Sequence, residues 1–85
     1  MWELRSNVTG QFDITDRTGS ATRLLLDTNG NMCVGTSSLN GTTNGIIMAN
    51  GTGPSVIPFG GCLYVNGGAL WFKGGAGTVT KIANA

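Results

Sequence analysis

Eighty-five residues with five basic against four acidic side chains, a formal net charge of +1, leave room for one small domain and supply no basic stripe for a phosphate backbone. With no histidine and two cysteines, the chain has no imidazole base for nucleophilic catalysis and too few ligands for a zinc site of its own. Its longest strictly apolar runs are four residues, far short of the about 20 that a membrane-spanning helix needs, so neither nucleic acid nor membrane insertion is expected.

A lone chain of this size hides only a modest share of its unfolded surface, and its 15 glycines raise the backbone entropy lost on folding. Disulfides, a metal or oligomerisation usually compensate. Cys33 and Cys62 sit inside apolar runs and read as small buried hydrophobes with free thiols, a disulfide between them being the alternative that spacing leaves open. The chain shows no signal peptide, which points to a reducing compartment. Oligomerisation is the compensation left.

Along the chain, short runs of β-branched, aromatic and aliphatic residues alternate with Gly/Asn/Thr/Ser clusters, and no stretch of ten or more residues holds an apolar period of 3.6. The expected fold is all-β, with short antiparallel strands. Strands are predicted over 2–8, 11–15, 23–27, 31–35, 45–49, 55–58, 62–65, 69–73 and 78–82. The small, polar stretch 35–53 reads as a loop carrying one short strand at its apolar island, Ile46-Ile47-Met48. The organisation is a single module over 1–85: N-terminal strands and a hairpin (1–38), a Gly/Asn/Thr-rich connection (39–59), and a C-terminal hairpin with a closing strand (60–85).

Five Asn-Gly dipeptides punctuate these runs. Two have strand-like segments on both sides, which predicts hairpins turning at Asn29-Gly30 and Asn66-Gly67, each a tight type I′ turn with positive φ at both central residues. Leu24-Leu25-Leu26 and Ala69-Leu70-Trp71-Phe72 are continuously apolar, a pattern that requires burial on both faces. A small monomer cannot offer that, so one face is expected to meet neighbouring subunits.

No catalytic, cofactor-binding or metal-binding residues are assigned. The carboxylates are Glu3, Asp13, Asp16 and Asp27; Asp13 and Asp16, three positions apart, should not share a face, which argues against the paired carboxylates of a glycosidase. Asp27 directly precedes Thr28-Asn29-Gly30 and reads as an acceptor for turn amides, with calcium ligation the lesser alternative. Gly74-Gly75-Ala76-Gly77-Thr78 leads into a strand pattern instead of a helix, so it is no phosphate cradle. Among the aromatics, Tyr64 and Trp71 are the candidates for interface packing or a sugar-stacking platform, while the role of Trp2 stays open.

The segment Arg23-Leu24-Leu25-Leu26-Asp27-Thr28-Asn29-Gly30-Asn31-Met32-Cys33-Val34-Gly35-Thr36-Ser37-Ser38 resembles the Leu-x-Ile-Asp-Ser-x-Gly-Asn-Val-Gly-Ile-Gly-Thr-Ser-Ser hairpin of tail fibres and other fibrous virion proteins of tailed bacteriophages. Trp2-Glu3-Leu4-Arg5 with Phe12-Asp13-Ile14-Thr15-Asp16 is similar to the strand pair that often precedes it. Gly60-Gly61-Cys62-Leu63-Tyr64-Val65 followed by Gly77-Thr78-Val79-Thr80 is similar to a closing segment near the ends of such proteins. Met32-Cys33-Val34 departs from the family's Val-Gly-Ile, and there is no long helical segment of the self-cleaving chaperone type, so autoproteolysis is not implied.

The resemblance implies a homotrimer, its strands wrapped into an intertwined β-prism or β-sandwich. It further implies a structural, non-enzymatic virion component: a segment or tip of a tail or head fibre, assembled in the host cytoplasm with other virion proteins and contributing to host attachment. Two alternatives remain at this point: a module that itself binds host surface polysaccharide, and, more remotely, a fragment of a polysaccharide-degrading tailspike.

Overall fold

A computed structural model describes residues 1–6, 10–37, 41–57 and 59–85. The protein is all-β and forms two compact units, Met1–Ala49 and Asn50–Ala85. Their division falls inside the 39–59 connection.

The first unit is a five-stranded sheet of β1 (Trp2–Ser6), β2 (Phe12–Asp16), β3 (Ala21–Leu26), β4 (Met32–Val34) and β5 (Ile46–Met48), in that spatial order. The first four strands pair antiparallel as a meander, and β5 joins β4 in parallel. β3 begins two residues before the predicted strand. A bulge lets Ile14 face Leu24 and Thr15 face Thr22, so Arg23 is left without a partner across the ladder. Arg23 turns its guanidinium to Asp16 instead, Nη2 donating to Oδ2 over 3.2 Å.

The β3–β4 connection is a hairpin, as predicted, but its turn is of another type. Asp27 N donates to Asn31 O over 3.2 Å, which closes a three-residue loop in which Gly30 alone has positive φ, at 82°. The Asp27 carboxylate selects that loop: Oδ1 accepts from the amides of Asn29 and Asn31, each over 2.9 Å, and Oδ2 accepts from Asn31 Nδ2 over 3.0 Å. An Asp that captures two amides ahead of it holds Asn29 out of the positive φ that the mirror-image turn at Asn29-Gly30 would need.

The second unit is a three-stranded antiparallel sheet of β6 (Gly61–Asn66), β7 (Ala69–Gly74) and β8 (Val79–Ala83). The β6–β7 hairpin pairs Asn66 with Ala69, so the two loop residues are Gly67 and Gly68, at φ 61° and 81°. The predicted turn is thus displaced by one residue from Asn66-Gly67. Two glycines adopt the required backbone without a Cβ penalty, whereas Asn66 would carry one. Asn50 forms a parallel bridge to Val65 at the free edge of β6.

The predicted strand 55–58 does not form over its described residues. Residues 55–57 form an irregular bend with Val56 71% and Ile57 60% exposed. Pro54 has no amide to give a ladder, and its carbonyl accepts from Lys73 Nζ over 2.9 Å. Pro58, the ends of the predicted strand 2–8 at Asn7 and Val8, and Ser38 of the hairpin segment lie outside the described residues.

Candidate assembly face

Pairing register fixes which side chains share a face, because directly opposed residues point to the same side of a sheet. In the first unit, Leu4, Ile14, Leu24, Val34 and Met48 form one row across all five strands, and Ser6, Phe12, Leu26, Met32 and Ile46 form the next. Nine of these ten side chains are apolar, Ser6 being the exception. The face they make is open. Leu4 is 70% and Ile46 72% exposed, and Phe12, Leu26, Met32 and Val34 lie near 40%.

The opposite face carries the row Arg5, Asp13, Leu25, Cys33 and Ile47, with Thr15 paired to Glu3 and Thr22. Asp13, Thr15, Leu25 and Cys33 are all buried there. Asp13 is bound by Arg5, Nε to Oδ1 over 3.0 Å and Nη2 to Oδ2 over 3.2 Å, and accepts the Thr15 hydroxyl at 2.7 Å. The Arg5 hydrogen bonds, then that of Thr15, hold its carboxyl below the ordinary carboxylate range. The β2 sequence Phe-Asp-Ile-Thr-Asp therefore alternates in the reverse of the usual sense: its polar residues are inside and its apolar residues are outside.

At one end of the apolar row a cavity of about 370 Å³ opens, lined by Leu26, Met32 and Ile46 on its apolar side and Asp27, Asn31 and Asn44 on its polar side. Asn31, 2% exposed, ties this end together. Its Nδ2 donates to Asp27 Oδ2 and to Thr42 O, and its Oδ1 accepts from Gly45 N over 2.8 Å. These bonds bring residues 42–45 beside β4, where Met32 N donates to Gly45 O over 2.9 Å and starts the parallel pairing. Sequence reasoning missed Asn31; a polar residue between an Asx loop and an apolar strand was its only signal.

The second unit has an apolar face too. Leu63 opposes Phe72 and Val65 opposes Leu70 on one side, with Leu63 52% and Phe72 39% exposed. The Phe72 ring lies over Gly61, where a Cβ would come within 2.2 Å of Cζ. The predicted aromatics Tyr64 and Trp71 are brought together as cross-strand partners on the other side. Both are half-buried. Tyr64 lies against Gly53, with no room for a Cβ there. Lys81 Nζ stands 5.2 Å over the Trp71 ring, and Trp71 Nε1 donates to Asn66 O over 3.3 Å. Their surroundings are packing partners from their own unit.

The charged residues all have partners. Glu3 lies 3.2 Å from Arg17 and 3.8 Å from Arg5, and Asp16 is held by Gly19 N as well as Arg23. Asp13 and Asp16 occupy opposite faces, as their spacing predicts. Asp27 is an acceptor for the turn amides, also as predicted. Cys33 is buried and Cys62 half-buried, both as free thiols, and burial pushes the Cys33 thiol up.

No family model matches the sequence, and no curated protein matches it. Among solved structures, a hyaluronidase from Streptomyces koganeiensis is similar at 26% identity, over 86% of this protein and 44% of that one, with a TM-score of 0.32. The 85 residues span less than half the length of that protein, and a likeness at this score carries no argument about fold or activity.

Proposed function

We propose that the protein is a structural module of a tailed-bacteriophage fibre, a segment or tip of a tail or head fibre, in which three copies associate through the open face of the five-stranded sheet and contribute to host-surface attachment. The observation that carries the reading is that face: nine apolar side chains in two adjacent rows, in a protein whose buried residues, among those described, are three apolar and three polar. Soluble monomers rarely leave so continuous an apolar surface open.

The copy number and the virion setting rest on the resemblance of 23–38 and of 60–80 to phage-fibre segments. The module acts without catalysis in this reading. Asp13 and Asp16 are turned to opposite faces, and each carboxylate is committed to a cation or to turn amides. Attachment by direct stacking of a glycan on Tyr64 and Trp71 is the less favoured route, because neighbours of their own unit already cover both rings in part.

Sedimentation equilibrium should return three times the 8.7 kDa protomer mass at micromolar concentration; a folded monomer there rules out the trimer. Antibody raised against the protein should label fibres on particles produced from the encoding genome. Labelling of no particle removes the virion setting while leaving the oligomer intact.

A further inference from the structure

Asn-Gly dipeptides do more than turn a backbone. The glycine nitrogen can attack Cγ of the preceding asparagine, forming a five-membered succinimide as the bond between Cγ and Nδ2 breaks and ammonia leaves. Water then opens the ring to aspartate or to isoaspartate, the latter carrying one extra carbon in the backbone. The step needs no enzyme and no oxidant. It requires an asparagine side chain free to move and a glycine nitrogen not engaged elsewhere.

From the hydrogen bonding of the loops we infer that Asn29 and Asn66 are sites of spontaneous deamidation in the folded protein, while Asn44 and Asn50 are protected by the fold. Asn29 and Asn66 are both exposed. Their side chains make no hydrogen bond among the described residues, and neither do the nitrogens of Gly30 and Gly67, which sit in hairpin loops at φ 82° and 61°.

The other two dipeptides are held at both reacting groups. Gly45 N donates to Asn31 Oδ1 over 2.8 Å, and Asn44 Oδ1 packs onto Gly30, where a Cβ would stand 2.0 Å away. Gly51 N donates to Val65 O over 2.6 Å, while Asn50 Oδ1 accepts from Gly68 N over 2.7 Å. Each must first break two contacts before the nitrogen can reach Cγ. Asn40, the fifth, lies outside the described residues.

The consequences differ from those of a surface charge change alone. Asn66 directly precedes the two-glycine loop that sets the β6–β7 register, so isoaspartate there lengthens the backbone entering a turn whose length fixes every cross-strand pair beyond it. Asn29 lies in the three-residue loop beside the Asp27 carboxylate, and a second carboxylate at 29 opposes it. Two conversions take the formal charge from +1 to −1. The two hairpin loops thus act as ageing sites, limiting how long the module keeps its original surface.

Incubation of the 85-residue protein in mildly alkaline buffer, followed by peptide mass spectrometry, tests the assignment against a urea-unfolded control. The unfolded protein should convert all four sites at comparable rates. In the folded protein, Asn29 and Asn66 should convert about tenfold faster than Asn44 and Asn50, since protected sites react only through local opening. Asn31→Ala, which removes the acceptor of Gly45 N, should raise conversion at Asn44 and leave Asn50 slow. Equal rates at all four sites in the folded protein, or intact Asn29 and Asn66 under conditions that convert the unfolded form, overturns the inference.

Discussion

The sharpest test of the assembly face is a pair of substitutions at its two ends, Leu4→Asp with Ile46→Asp. Both residues lie on outermost strands and are 70% and 72% exposed in the single protomer. Complete burial of such a side chain is worth about 1.5–3 kcal/mol, so association that covers what remains open gains about 1–2 kcal/mol from each. Losing both removes about 3 kcal/mol per copy, on the order of a hundredfold in association, before the added cost of desolvating two carboxylates. Within one protomer the same changes touch little, and exposed substitutions usually stay within about 0.5 kcal/mol. Sedimentation equilibrium over a concentration series should therefore show the parent as an oligomer and the variant as a folded monomer with unchanged circular dichroism. The melting temperature should rise with concentration for the parent only. A Leu4→Thr, Ile46→Thr control keeps strand propensity while shedding apolar surface, and should fall between them. If the Asp pair sediments like the parent, with the same concentration dependence, the face is not where copies meet.

Three further outcomes follow from the polar networks and the thiols. The carboxyls of Asp13, Asp16 and Asp27 are all held low, chiefly by Arg5, by the Gly19 amide and by the Asn31 side chain respectively. A carboxyl lowered by folding adds stability above its unfolded pKa of about 3.9 and loses it as pH falls through the folded value. The melting temperature should thus stay level from neutral pH to about 5 and drop below about 4; a rise on acidification contradicts these networks. Asn31→Ala strands Thr42 O and Gly45 N without partners and should cost about 3 kcal/mol in urea unfolding, with a loss under about 1 kcal/mol showing that water replaces the side chain. A thiol reagent should modify Cys62 in the folded protein and Cys33 only after unfolding, and equal reactivity would mean that the β4 strand opens readily.

Much of the fold was legible because strand and turn signals are local. Eight of the nine predicted strands exist, and the apolar run Leu24-Leu25-Leu26 does place Leu25 on one face and Leu24 and Leu26 on the other. The errors arose where two local preferences competed. At 27–31 the carboxylate of Asp27 won the Asn29 amide and imposed a longer loop than Asn-Gly alone favours. At 66–68 a Gly-Gly pair outcompeted Asn-Gly by one residue. At 55–57 two β-branched residues suggested a strand that the neighbouring proline left unpaired. The parallel addition of β5 was not legible at all, since it depends on Asn31 gripping residues 42–45 across a connection that no pairwise rule reads. The partial covering of Tyr64 and Trp71 was hidden for the same reason: Gly53 and Lys81 are distant in sequence from the rings they meet.

The strand β2 carries the deepest implication. Its alternation of Phe12, Asp13, Ile14, Thr15 and Asp16 would be satisfied in a monomer by turning Phe12 and Ile14 inward, and a shift of one residue in register would do it. The strand instead buries Asp13 and Thr15 and leaves Phe12 40% exposed. The bidentate Arg5–Asp13 pair and the Thr15 hydroxyl bond compensate for burying those groups, and they do so only in the register observed. Slipping β1 against β2 by one residue would bring Leu4 or Ser6 opposite Asp13 and strand the carboxylate inside. The polar interior thus fixes the register, and the register fixes nine apolar side chains on the outside. If copies associate through that face, as proposed, the contact buries apolar surface that the folded protomer leaves open, and the stability of the module then rises with its own concentration.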